Sequence, residues 1–274
     1  MLEWRVMETV LNALRQFFID RLDSLFPEPA ASFAAGILLG ARRSIPYAVL
    51  EDFRRAGLTH ILAISGYNII ILIVFVTAVF SFLPRKISTW ISLAVILLFT
   101  LLVGASASVV RAAIMGSLSL FARLVGRKSS GMRALVITAG IMILFDPSIL
   151  FSDIGFQLSF AATAGILLFS KRFEFFLKKI PENFVIRTSL ATTLAAQVFT
   201  TPLIFWHFGG ISFIAPFANV IVLPFVPLLM LGSFLALIGG KILAAPTWIL
   251  FTIVLKLIHF FASLPFAFID FGTS

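Results

Sequence analysis

Apolar runs recur along this chain with short polar breaks, near residues 30–40, 58–83, 87–103, 108–125, 133–145, 154–170, 187–208, 213–239 and 245–268. A helix needs about 20 apolar residues to cross the hydrocarbon of a bilayer. Side chains are 60% hydrophobic and 12% charged over 274 residues, more apolar surface than a water-soluble core of that size can hide. The expected fold is all-α: a polytopic transmembrane helical bundle of about 7–9 membrane segments, some of them short or broken. The 30–40 run is too short to cross, so it should be re-entrant or buried between helices. The 213–239 run holds Pro216, Pro224 and Pro227 and should be broken. Gly66 and Pro202 mark further weak points. Broken helices at membrane depth are tolerated inside protein or beside water, so several breaks together point to a cavity.

Residues 1–28 carry eight charges and no apolar core of a signal peptide. Leu2, Val6, Val10, Leu14, Phe17, Phe18, Leu22 and Leu25 follow helical spacing. This predicts an amphipathic interfacial helix over 1–28, ended by Pro27 and Pro29, ahead of a membrane domain over 29–274. The net charge of +9 is concentrated in alternate loops: Arg85, Lys86, Arg123, Arg127, Lys128, Arg133, Lys171, Arg172, Lys178, Lys179 and Arg187 share one side if each run crosses once. The positive-inside rule places that side in the cytoplasm and both termini outside. The stretch 41–57 then lies outside with Arg42, Arg43, Arg54 and Arg55. These are either solvated charges partly paired with Glu51 and Asp52 or a patch that attracts an anion.

Polar residues gather at the outer ends of the apolar runs. On a continuous 58–83 helix, His60, Tyr67 and Asn68 share one face, with Ser65 and Gly66 beside them. Arg111, Asp153, Gln157, Ser159, Gln197, His207 and Asn219 fall in the same outer half. A water-filled vestibule open to the outside would collect them so. Each also has a plainer reading: interhelical hydrogen bonds for Asn68, Gln197 and Asn219, an Arg111–Asp153 ion pair, and a close-packing small pair for Ser65-Gly66. No metal motif and no phosphate-binding glycine loop is present, and cysteine is absent, so no cofactor and no metal is expected.

The stretches FRRAGLTHILAISGYNIIIL, SVVRAAIMGSLSLFARLVGRK, DPSILFSDIGFQLSFAATAGIL and TTPLIFWHFGGISFIAPFANVIVLPFVP occur in an order and spacing that resemble the competence domain of the ComEC family. The resemblance runs from residue 28 to residue 268. It implies a channel, not an enzyme, that admits single-stranded DNA across the bacterial cytoplasmic membrane during natural transformation. The matching positions are His60, Ser65, Gly66, Arg111, Gly155, Phe156, Gln157, Leu158, Ser159, Pro202, Phe208, Gly209, Ser212, Asn219 and Pro224. Within these 274 residues neither the family's OB-like domain nor its metallo-β-lactamase-like domain is expected. A DNA receptor, a nuclease and a cytoplasmic translocase would therefore come from elsewhere. The chain departs from the family at Ser65-Gly66-Tyr67-Asn68, where Ser-Gly-Leu-His is usual, and at Gly40-Ala41-Arg42, where Gly-Asp-Arg is usual. A role that needs a titrating histidine at position 68 does not carry over. Two other classes of function stand beside the channel: a secondary transporter of another anionic solute, and an intramembrane serine protease using Ser65 with His60 or His207.

Overall fold

The computed structural model describes residues 2–41, 45–62, 64–180 and 186–271. It is an all-α membrane bundle. In chain order the helices are α1 (Leu2–Leu25), α2 (Ala30–Leu39), α3 (Tyr47–Arg55), α4 (Thr59–Leu62), α5 (Gly66–Val79), α6 (Arg85–Val103) and α7 (Ala107–Leu124). There follow α8 (Gly131–Phe145), α9 (Ile149–Ser152), α10 (Ile154–Phe176), α11 (Ile186–Phe208), α12 (Ala215–Val222), α13 (Val226–Gly239) and α14 (Lys241–Ser263). Among the described residues, six stretches are helical, long and apolar enough to cross a membrane: α6, α7, α10, α11, the rod Ala215–Gly239 and α14. That rod is α12 and α13 joined by a 3-10 turn over Leu223–Phe225, so the proline-rich run is interrupted around Pro224 within a 25-residue span. The shorter apolar helices are α2, α5 and α8.

Helix α2 is the centre of the molecule. Its sequence, AASFAAGILL, is apolar on every side, and all ten of its residues are buried. Phe33 of α2 meets Phe53 of α3 and Phe251 of α14 edge-on, at ring separations of 5.1 and 5.3 Å. Phe26, just after α1, meets Phe251 at 5.6 Å. The N-terminal segments that carry Phe26, Phe33 and Phe53 are thus tied to the distant α14 by one aromatic cluster. The helix stops at Gly40, which takes φ +67°, and the amides of Gly40 and Ala41 return to the carbonyls of Gly36 and Ala35. Helix α1 buries Leu22 in this same core and turns Val10, Leu14 and Phe17 outward as a second apolar stripe.

The predicted single helix over 58–83 is two helices, α4 and α5, and the reason is Ser65. Its backbone is extended, and its hydroxyl accepts the Tyr67 N–H at 3.2 Å, capping α5. His60 and Asn68 therefore do not share one helix face: His60 is exposed and Asn68 is buried. A two-stranded antiparallel ribbon also forms, β1 (Gly210–Ser212) against β2 (Phe268–Asp270), which periodicity does not foretell.

Candidate functional site

The ribbon fixes one end of the bundle. It brings the C-terminal end of α11 beside the C-terminal end of α14, so both helices finish at the same end. Other polar contacts join this end to more of the chain. Ser212 Oγ donates to the Arg55 carbonyl at 2.8 Å, and Arg54 reaches Asp270 at 3.8 Å. His259 Nδ1 meets Asp52 Oδ2 at 2.9 Å. His207 Nε2 meets Gln157 Oε1 at 3.1 Å, and Ser108 Oγ donates to the Gly155 carbonyl at 3.3 Å. The start of α7, the start of α10 and the ends of α11 and α14 therefore belong to one polar end. The loop cations Arg85, Lys86, Arg123, Arg127, Lys128, Arg133, Lys171, Arg172, Lys178 and Lys179 are all exposed and lie at the other ends of these helices.

Arg111, one turn into α7, is the unusual residue of the polar end. It is 7% exposed. Its Nη1 donates to the Ser159 carbonyl at 2.6 Å and to the Thr163 hydroxyl, both on α10. Its Cζ lies 5.9 Å from the centre of the Phe160 ring. Its Nε is buried with no partner. On the α5 side, Nη2 packs against Gly66, where a Cβ would stand 2.6 Å away. Gly66 therefore makes room for a guanidinium, not for another backbone. The first turn of α5 presents the positive end of its dipole to the same cation.

Asp153 does not neutralise Arg111. Its carboxylate is spent as the N-cap of α10, where Oδ1 accepts the Phe156 N–H at 2.8 Å. Among the described residues no acid comes within ion-pairing distance of Arg111, and only neutral acceptors hold it. A buried cation is expensive in a membrane protein unless it pairs with an acid or with backbone carbonyls, and here the Ser159 carbonyl takes that part. The leftover donor Nε is itself buried, so an anion would reach this charge only by opening the packing around it.

The other expected positions separate into distinct environments. Asn68 Nδ2 donates to the Ile37 carbonyl at 2.8 Å and so joins α5 to α2, while Asn68 Oδ1 accepts from Ser65 Oγ at 3.0 Å within the start of α5. Gln157 Nε2 donates to the Leu150 and Phe151 carbonyls at 3.0 and 3.3 Å. Ser159 contributes its carbonyl to Arg111. Gln197 is half-buried and has no hydrogen bond among the described residues. Asn219 is 6% exposed, with Oδ1 unpartnered.

The four arginines expected as a patch are not equivalent. Arg42 and Arg43 lie outside the described residues. Arg54 is engaged: Nε donates to Glu51 at 2.8 Å, Nη1 reaches Asp270, and the guanidinium lies 4.3 Å over the Phe268 ring. That hydrogen bond holds the Glu51 carboxyl below the usual carboxylate range. Arg55 is exposed and has no ion-pair partner among the described residues. The residues that sequence reading misses are Thr163 and the Asp52–His259 pair. Thr163 carries a signal, since it sits four residues after Ser159 and so on the same face of α10.

Ser65 is placed for capping. Its hydroxyl contacts are Tyr67 N and Asn68 Oδ1, and no histidine is hydrogen-bonded to it among the described residues. Among those residues, no three His, Asp or Glu side chains cluster as metal ligands.

The Competence protein family matches this chain over residues 37–274. ComE operon protein 3 of Bacillus subtilis (strain 168) is 30% identical over 219 residues, which cover 78% of this chain and 27% of that protein. The chain thus corresponds to a little over a quarter of that relative's length. No solved structure matches it. A match that takes in nearly all of the membrane bundle, with Gly66, Arg111 and Asn219 inside it, makes this chain a member of the Competence protein family.

Proposed function

We propose that this chain is a membrane channel for single-stranded DNA in natural transformation, and that Arg111 holds a passing phosphate. The observation that carries the reading is a buried guanidinium with neutral partners only and a buried, unpartnered Nε. A polyanion moving through a low-dielectric layer needs such a fixed positive charge, and one without a carboxylate competitor. Phe160 beside Arg111, with Phe156 stacked on it at 4.3 Å, adds an aromatic surface of the kind that bases stack on. The exposed Arg55, with Arg42 and Arg43, would meet the strand outside. Gln157, Gln197 and Asn219 would offer further polar groups along the path. His60 would stand at its mouth. The polar end then faces outward and the exposed loop cations face the cytoplasm of a bacterial cell. The outward stripe Val10, Leu14 and Phe17 of α1 would settle into the membrane interface. The receptor, the nuclease and the motor would be separate proteins or domains.

The test is uptake of fluorescent single-stranded DNA into proteoliposomes by wild type, Arg111→Lys and Arg111→Gln. The expected order is wild type, then lysine with part of the rate, then glutamine with almost none while still folded. Equal uptake by all three would remove Arg111 from the path. The secondary transporter rests on the same Arg111. Saturable uptake of a small anion through Arg111, with no DNA passage, would establish it instead.

A further inference from the structure

Helix α14 is an apolar span with one cation in its interior, Lys256. Lys256 is exposed and has no acidic partner among the described residues. It lies on the stripe Trp248, Thr252, Leu255, Lys256 and His259, one side of the helix by i, i+4 and i, i+3 spacing. That stripe forms one wall of a cleft of about 440 Å³, and the Pro27–Ala30 turn forms the other. A second hollow of about 310 Å³ shares Pro27 and Trp248 and continues past Leu25, Ala244 and Ala245 to Lys241. The two make a largely apolar groove along the outer side of a membrane-spanning helix.

At one end of the groove His259 is bonded to Asp52 of the charged helix α3. Lys256 is one turn deeper. Glu28 also lines the cleft; its carboxylate accepts the Ser32 hydroxyl at 2.6 Å and makes no ion pair with Lys256. The ammonium of Lys256 is left facing a groove with apolar walls. An unpaired ionisable group on a spanning helix calls for a counter-charge at that depth. The only abundant anion there is a lipid headgroup phosphate.

We propose that this groove binds one phospholipid with a net negative headgroup. Lys256 holds the phosphate, and an acyl chain lies along Trp248 and Pro27. The proposal does not rest on the DNA reading.

The test uses purified protein in nanodiscs, with Trp4, Trp90 and Trp206 replaced by Phe so that Trp248 reports alone. Trp248 is 44% exposed and forms part of the groove wall. Lipids brominated in their chains should quench it with about fivefold preference for phosphatidylglycerol over phosphatidylcholine, the effect of one lysine near an anionic phosphate. Lys256→Gln should remove the preference and leave general quenching. Native mass spectrometry of the unaltered protein and of Lys256→Gln gives the same comparison without the tryptophan changes, as retained phosphatidylglycerol. Equal quenching by the two lipids, or a preference that survives Lys256→Gln, would overturn the site. Relief of quenching by a soluble single-stranded oligonucleotide, dependent on Lys256, would overturn the lipid assignment in favour of nucleic-acid phosphate.

Discussion

Arg111 rests on Gly66, with Nη2 only 2.6 Å from where a Cβ at position 66 would stand. On its other side the guanidinium is held by Ser159 and Thr163, so it cannot step aside without loosening those bonds. Gly66→Ala should leave a folded protein, at a cost of about 1 kcal/mol, yet displace the guanidinium. DNA uptake in proteoliposomes should then fall towards the level of Arg111→Gln. The double variant should be no worse than Arg111→Gln alone, because both changes remove one feature. Independent, additive losses would show that the contact has no bearing on the function of Arg111.

The ribbon should loosen in acid. Arg54 joins Glu51, Asp270 and the Phe268 ring, and so ties α3 to β2. The Glu51 carboxyl is lowered in the fold, chiefly by its hydrogen bond from Arg54. Its contribution is therefore complete above the ordinary carboxylate range and is lost as the pH falls through the lowered value. Amide protection factors of Phe268–Asp270 should drop over that acidic window and stay level above it. Glu51→Gln should lower protection at neutral pH and flatten the profile. A wild-type profile that does not change with acid would count against the tie.

How far the sequence foretells this arrangement depends on which interactions decide each element. Lipid sets the length of α6, α7, α10, α11 and α14, and the length of an apolar run is visible in the sequence. The shortness of α2 is visible too, since a ten-residue, largely apolar run bounded by Pro29 and Gly40 cannot cross. The break before α5 is not, because Ser65 can cap a new helix or sit inside an old one, and only its φ and ψ decide. The ribbon depends on a pairing between Gly210–Ser212 and Phe268–Asp270, far apart in the chain, and three-residue strands carry no period. At the site, Arg111 stands out as a charge in an apolar run. Its partners do not: Asp153 is the acid expected at its level, and α10 uses that acid for its own cap.

Asn68 shows the difference between a polar residue that lines a path and one that joins helices. It is 1% exposed, and its amide donates to the Ile37 carbonyl near the C-terminal end of α2. Asn68→Leu leaves that carbonyl without its partner, at about 1–3 kcal/mol. Thermal unfolding in detergent should show the loss as a lower midpoint. Passage of DNA by the surviving folded protein should be near normal. A folded Asn68→Leu protein of unchanged stability that passes no DNA would return Asn68 to the lining.

The tightest helix pair gives a packing prediction. Helices α10 and α11 lie against each other at Gly165, and a Cβ there would run into the Ala195 carbonyl. The obstacle is backbone, and Ala191 and Ala195 on α11 are fully buried, so neither helix can yield locally. Gly165→Ala should force the pair apart at a cost of about 1–3 kcal/mol. Since α10 supplies both acceptors of Arg111, the shift should also reach the site. The expected result is a lower unfolding temperature together with weaker DNA uptake. The matched control is Gly140→Ala on α8, where an added Cβ meets nothing within 4 Å and should lower neither. Should the two substitutions behave alike, the close approach of α10 and α11 is not what holds this half of the bundle.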